Sequence, residues 1–70
     1  MKTPPVIQVN GQPRQLIPEC TVGEMLLEFK LAPIRVAVEV NRELVSRRDF
    51  DKTLLRDGDI VEIVTFVGGG

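Results

Sequence analysis

Histidine, tryptophan and tyrosine are absent from the 70 residues, and cysteine occurs once. Without histidine, neither a Ser-His nor a Cys-His nucleophilic pair can be built. A structural zinc site takes about four N or S ligands, and Cys20 stands alone. It has no disulfide partner within the chain, so nothing points to an oxidising compartment. Three Phe are the only aromatics, too few for a platform on which bases stack. An excess of one charge is missing as well: nine Lys and Arg against ten Asp and Glu leave a net charge of −1. That is no electrostatic footprint for nucleic acid or an anionic membrane. No apolar run approaches the roughly 18 residues of a membrane span. The opening Met1-Lys2-Thr3-Pro4-Pro5 lacks the apolar core of a signal peptide. The expectation is a soluble cytoplasmic protein with no nucleic-acid and no membrane partner.

What remains is one small domain of 7.8 kDa. A chain of this size hides only roughly 60% of its unfolded surface, so apolar positions on regular elements are expected in the core. Val6-Ile7-Gln8-Val9 is β-branched and runs into Asn10-Gly11, a pair suited to the positive φ angles of a type I′ hairpin turn. The return strand is expected over Gln12 to Ile17, stopped by Pro18. Thr21-Val22-Gly23-Glu24 has the Thr-to-Glu spacing of a capping box. Behind it Val22, Met25, Leu26 and Phe29 draw one helical stripe. Pro33 disfavours helix at the residue before it, so the helix is expected to end near Lys30 or Leu31.

Arg35 to Val40 reads as a strand with Val36, Val38 and Val40 inward, and Asn41-Arg42 as a turn into a short strand, Glu43-Leu44-Val45. Ser46 to Leu55 is charged and irregular, with Phe50, Leu54 and Leu55 as anchors. After the Asp57-Gly58 turn, Asp59 to Val67 is the longest β-prone run. Its side chains alternate, so Val61, Ile63 and Thr65 are expected inward and Val64 and Phe66 outward. One helix on one mixed sheet is the economical way to bury one helical stripe. With the first hairpin beside the terminal strand, this is an α+β, β-grasp (ubiquitin-like) arrangement of four to five strands. Residues 1–67 form the domain and residues 68–70 a flexible tail.

That tail carries the chemistry. Gly68-Gly69-Gly70 follows the strand directly, and glycines, lacking Cβ, can enter a narrow channel. Three extended residues reach about 10 Å, enough to carry a terminal carboxylate into a partner's site. A carboxylate is ionised at neutral pH and its charge repels nucleophiles, so it must be activated before it can accept sulfur or an amine. The simplest activation is an acyl-adenylate made with ATP. No phosphate-cradling G-x-x-x-x-G-K-[ST] loop occurs in the chain, so the ATP would be used by another protein and no cofactor is held here. A frayed end or linker stub is the plain alternative.

The chain resembles the small ubiquitin-like sulfur carriers, most closely the ThiS family of thiamine biosynthesis. Val9-Asn10-Gly11, Thr21-Val22-Gly23-Glu24-Met25-Leu26, Val36-Ala37-Val38-Glu39-Val40-Asn41 and Asp57-Gly58-Asp59 carry the likeness. The ending from Val61 to Gly70 is its specific part. The resemblance implies that Gly70 supplies the carboxylate, with Gly68 and Gly69 as the neck that threads a partner's site. A ThiF-like adenylating enzyme would activate it, and a sulfur donor such as a cysteine desulfurase would convert it to a thiocarboxylate. Thiazole synthase would then receive the sulfur. The chain would be a protein co-substrate, not an enzyme. The family's minimal tail is Gly-Gly, which leaves a trimmed Gly69 as the other working end. Sister carriers for molybdopterin synthesis or tRNA thiolation, and a ubiquitin-like binding module with an inert tail, are the rival functions.

Val64 and Phe66 beside the tail are the expected partner interface. Cys20, just ahead of the helix, lies where a helix dipole can lower a thiol pKa, although packing is the plainer role. Arg47-Arg48-Asp49 and Asp57-Gly58-Asp59 read as solvated loop and turn. Two carboxylates also fall short of the 6–8 oxygens that calcium takes.

Overall fold

The computed structural model describes residues 2–66. The Gly68-Gly69-Gly70 tail and the expected strand end at Val67 lie outside the described residues.

β1 (Val6–Val9) and β2 (Gln12–Gln15) form an antiparallel hairpin. Asn10 at φ 50° and Gly11 at φ 82° both sit in the left-handed region that a type I′ turn requires. β2 stops two residues short of the expected Ile17. Leu16 still donates its N–H to the Pro5 carbonyl at 2.9 Å, but proline has no N–H to return, and the ladder closes there.

The helix α1 (Val22–Glu28) begins as its sequence dictates. The Thr21 hydroxyl accepts the Glu24 N–H at 3.1 Å, and Glu24 Oε1 accepts the Thr21 N–H at 2.9 Å. Its end comes earlier than the proline alone implies. Lys30 adopts φ 61°, its N–H bonds the Leu27 carbonyl at 3.0 Å, and the Leu31 N–H reaches the Leu26 carbonyl at 2.8 Å. That pair of bonds is a Schellman closure, normally built on glycine. Lysine in its place gives no warning in the sequence.

A 3-10 turn over Pro33–Arg35 leads into β3 (Val36–Val40), and a second turn, Asn41 at φ 52° and Arg42 at φ 71°, leads into β4 (Glu43–Val45). Another 3-10 turn, Arg47–Asp49, precedes β5 (Ile60–Thr65). The five strands lie in the order β2-β1-β5-β3-β4. β5 is parallel to β1 and antiparallel to β3, so the last strand in the sequence is the middle strand of the sheet.

The core lies between α1 and one sheet face. Val22, Met25 and Leu26 of the helix pack with Ile7, Val38 and Val61 of the sheet, all fully buried. Phe50 and Leu55 join from the connecting segment. Leu54, expected as a third anchor, is instead exposed. Neighbours on an extended segment face opposite ways. Leu55 is the one drawn inward, its N–H bonded to the Cys20 carbonyl at 2.8 Å, while Leu54 pairs with Thr21 in an isolated bridge. Thr65 keeps the face of Val61 and Ile63, opposite Val36 at the final pair of the ladder, but is exposed there. No helix of the described residues is long and apolar enough to cross a membrane.

Candidate functional site

The site is the outer face of β5 and the strand end that leads in sequence to the glycines. Val61 and Ile63 are buried against the helix side, and Val64 and Phe66 are 60% and 57% exposed on the other. The outward orientation expected for both is therefore observed. The Phe66 N–H donates to the Arg35 carbonyl at 2.8 Å, so pairing with the β3 side persists to the last described residue.

Two asparagines fix β5 in place, and neither is a candidate from the sequence alone. The Asn10 side chain meets the backbone of Ile63 twice: Oδ1 accepts the Ile63 N–H at 2.9 Å, and Nδ2 donates to the Ile63 carbonyl at 3.1 Å. The main chain of β1 bonds β5 from Gln8 N–H to Asp59 O at 3.0 Å and from Asn10 N–H to Val61 O at 2.9 Å. Once the hairpin turn bends β1 away, the Asn10 amide supplies the next rung. Asn41 holds the strand's start, its side-chain Oδ1 accepting the Ile60 N–H at 2.9 Å and its backbone N–H donating to the Ile60 carbonyl at 2.7 Å. The available signal was asparagine, rather than glycine, at the first position of both left-handed turns.

Register fills in the rest of the outer face. Ala37 lies opposite Val64, Glu39 opposite Glu62, and Glu39 also opposite Leu44 of the edge strand. Leu44 and Ile60 are exposed, at 70% and 57%.

The other sequence candidates fall elsewhere. Cys20 is fully enclosed. Burial pushes its thiol up to about 11, with the negative charges of Glu24 and Glu28 adding to the effect. The expected lowering by the helix dipole is overturned, and the packing role stands. Asp57 Oδ1 accepts the Val6 N–H and Asp59 Oδ2 the Arg56 N–H, each at 2.8 Å, so both carboxylates brace their turn. Arg47 and Arg48 are exposed, and Arg48 makes only a loose 3.9 Å ion pair with Asp49. Among the described residues no group of three or more His, Cys, Asp or Glu is placed to hold a metal ion.

Comparison with known proteins decides the family. The ThiS family model matches residues 7–70, the glycine tail included. This chain belongs to the ThiS family. The sulfur carrier protein ThiS of Bacillus subtilis is 33% identical over 66 residues, covering 93% of this chain and all of that one. A crystal structure of the thiamine biosynthesis protein (ThiS) from Geobacter metallireducens superposes with a TM-score of 0.79 at 40% identity, covering 93% of this chain and 99% of the other. The β-grasp architecture expected from the sequence is thus that of a solved ThiS. A thiazole synthase of Magnetococcus marinus is 38% identical over 64 residues, 91% of this chain. The chain spans about a fifth of the length of the thiazole synthases it matches.

Proposed function

We propose that this ThiS-family chain is a sulfur carrier of thiamine biosynthesis, and that the Gly70 carboxylate is its working group. The observation that carries the reading is the coupling of the family match with a central strand that leads straight into Gly68-Gly69-Gly70. The carboxylate oxygen attacks the α-phosphorus of ATP in a ThiF-like enzyme and pyrophosphate leaves, giving an acyl-adenylate. A sulfur nucleophile, supplied by a cysteine desulfurase or similar donor, then displaces AMP. When that sulfur is the outer atom of a persulfide the product is an acyl disulfide; a thiol then attacks the donor's sulfur, leaving a disulfide there and a thiocarboxylate on Gly70, whose sulfur passes to thiazole synthase. On this reading the chain is a co-substrate whose ATP is bound and spent by its partner. Gly68 and Gly69 form the neck in that partner's channel, and the Val64 and Phe66 face docks beside it. The ThiS-like stretch within two thiazole synthases supports that enzyme as the acceptor, and the family match favours it over the sister pathways. A cytoplasmic site fits a chemistry that needs ATP and reduced sulfur.

The test is the intact mass of the full chain after co-expression with the adenylating enzyme, followed by fragmentation. The expected gain equals sulfur minus oxygen, located on Gly70 and lost when Gly70 is deleted. An unmodified terminus despite an active enzyme and ATP overturns the reading, and sulfur on Cys20 overturns its choice of residue.

A further inference from the structure

The side chain that clamps β5 is also the most reactive amide in the chain. There are two asparagines, Asn10 before Gly11 and Asn41 before Arg42. The backbone nitrogen after an asparagine can attack its side-chain amide carbon. Here Asn10 Cγ would bond to Gly11 N, the Cγ–Nδ2 bond would break, and ammonia would leave with the Gly11 proton. Water then opens the resulting succinimide at either carbonyl, giving aspartate or isoaspartate. One water is consumed and one ammonia released, with no oxidant and no cofactor. Glycine offers its nitrogen with no Cβ beside it, whereas the side chain of Arg42 crowds the approach to Asn41. Of the two, Asn10 is the reactive one.

Position, rather than burial, restrains it. Asn10 and Gly11 are both exposed, so water reaches them. The Ile63 backbone occupies both atoms of the Asn10 amide, Oδ1 at 2.9 Å and Nδ2 at 3.1 Å. That ties Cγ to β5, while ring closure needs it against Gly11 N. Ile63 is itself buried and lies opposite Val38 of β3, and β5 pairs with β1 on its other side. The Ile63 backbone therefore stays in place as long as the sheet is intact.

We infer that Asn10 is a conditional deamidation site, closed while β5 is seated in the sheet and open whenever β5 leaves it. The product cannot rebuild the clamp. Aspartate has acceptors only, so the oxygen that replaces Nδ2 faces the Ile63 carbonyl with no proton between them. Isoaspartate also routes the main chain through the former side chain and lengthens the two-residue turn. Each conversion leaves a protein whose β5 departs more readily, so the site records irreversibly the time spent with the central strand undocked.

The full chain is incubated in mildly alkaline buffer across a guanidinium series. Mass spectrometry of its peptides follows conversion at each asparagine, and the unfolded fraction is measured on the same samples. Above the unfolding transition, Asn10 is expected to convert while Asn41 persists. Without denaturant, conversion at Asn10 is expected to be at least about a hundredfold slower, because the folded state outweighs the unfolded by more than that. Between these limits it should track the unfolded fraction. Leu26→Ala, which weakens the core away from the turn, should raise the rate without denaturant about tenfold or more; if that variant does not fold, the wild-type series decides alone. Asn10→Asp, the product made by mutation, should melt below wild type. Equal conversion of Asn10 in native and unfolded chains overturns the inference, because the clamp then protects nothing. A native rate that a folded Leu26→Ala leaves unchanged also overturns it, because the amide then opens by side-chain rotation alone. So does an Asn10 that outlasts denaturant as well as Asn41 does. An Asn10→Asp protein as stable as wild type overturns the irreversibility.

Discussion

Replacing Asn10 removes the side-chain rung that holds β5 at Ile63, and two substitutions separate its parts. Asn10→Gly keeps the left-handed turn accessible, since glycine takes φ of 50° freely, but leaves the Ile63 N–H and carbonyl without their partners. At a net of about 0.5–1.5 kcal/mol per hydrogen bond, the loss comes to about 1–3 kcal/mol. Asn10→Ala suffers the same loss and adds at least about 1 kcal/mol for a Cβ in the left-handed region, which asparagine tolerates better. For a domain of this size each kcal/mol moves the midpoint by roughly 4–8 °C. A loss of about 2 kcal/mol therefore lowers the melting temperature by about 8–16 °C. Urea unfolding of the three proteins gives the free energies, and the order expected is wild type, then Gly, then Ala. The amide protons of Ile63 and its neighbours should also exchange faster in both variants. An Asn10→Gly protein as stable as wild type would refute the reasoning, because the amide would then contribute nothing beyond its tolerance of the turn.

Thr21→Ala removes the hydroxyl that accepts the Glu24 N–H and should cost about 1 kcal/mol in urea unfolding, with Thr21→Ser largely restoring it. Leu26→Ala empties a fully buried helix position and should cost about 2–5 kcal/mol in the same assay. Burial of Cys20 raises its folded pKa from 9.0 to about 11, so the unfolded chain gives up its proton first. The associated stabilisation is whole below pH 9 and is lost as pH climbs from 9 towards 11. Urea midpoints on either side of that window should show a steeper decline for wild type than for Cys20→Ala. Val64→Asp and Phe66→Asp alter exposed positions and should leave unfolding within about 0.5 kcal/mol of wild type, while partner binding measured by titration falls sharply.

Most of the fold was legible because its signals are local. Asn10-Gly11 announces a turn through two residue types suited to positive φ, and Asn41 announces another through one, with Arg42 carried to φ 71° beside it. Thr21 and Glu24 announce a helix start, and alternating valines announce strands. The misreadings share a different cause, in that tertiary neighbours decided them. Lys30 closes the helix because the backbone there bends back onto Leu26 and Leu27, and nothing intrinsic to lysine asks for it. Leu54 and Leu55 are equivalent by composition, and the Cys20 carbonyl selects Leu55. At the site, Val64 and Phe66 were readable from a period of two. The Asn10 clamp was not, because it joins residues 53 positions apart. The juxtaposition of Glu39 with Glu62 likewise needs a register that no single segment specifies.

Placing the last strand at the middle of the sheet has a kinetic consequence. The hairpin of β1 and β2 can form while the rest of the chain is still being synthesised. Its hydrogen-bonding edge then waits for β5, and until that strand arrives β1 has no neighbour on its other side and β3 none but β4. Pairing between segments so far apart must overcome loop closure before it is rewarded, and such topologies fold slowly. Completion of the sheet thus waits for the synthesis of β5. A chain truncated before β5 cannot pass for a finished fold, because the strand that completes the sheet is also the one that leads in sequence to the glycines.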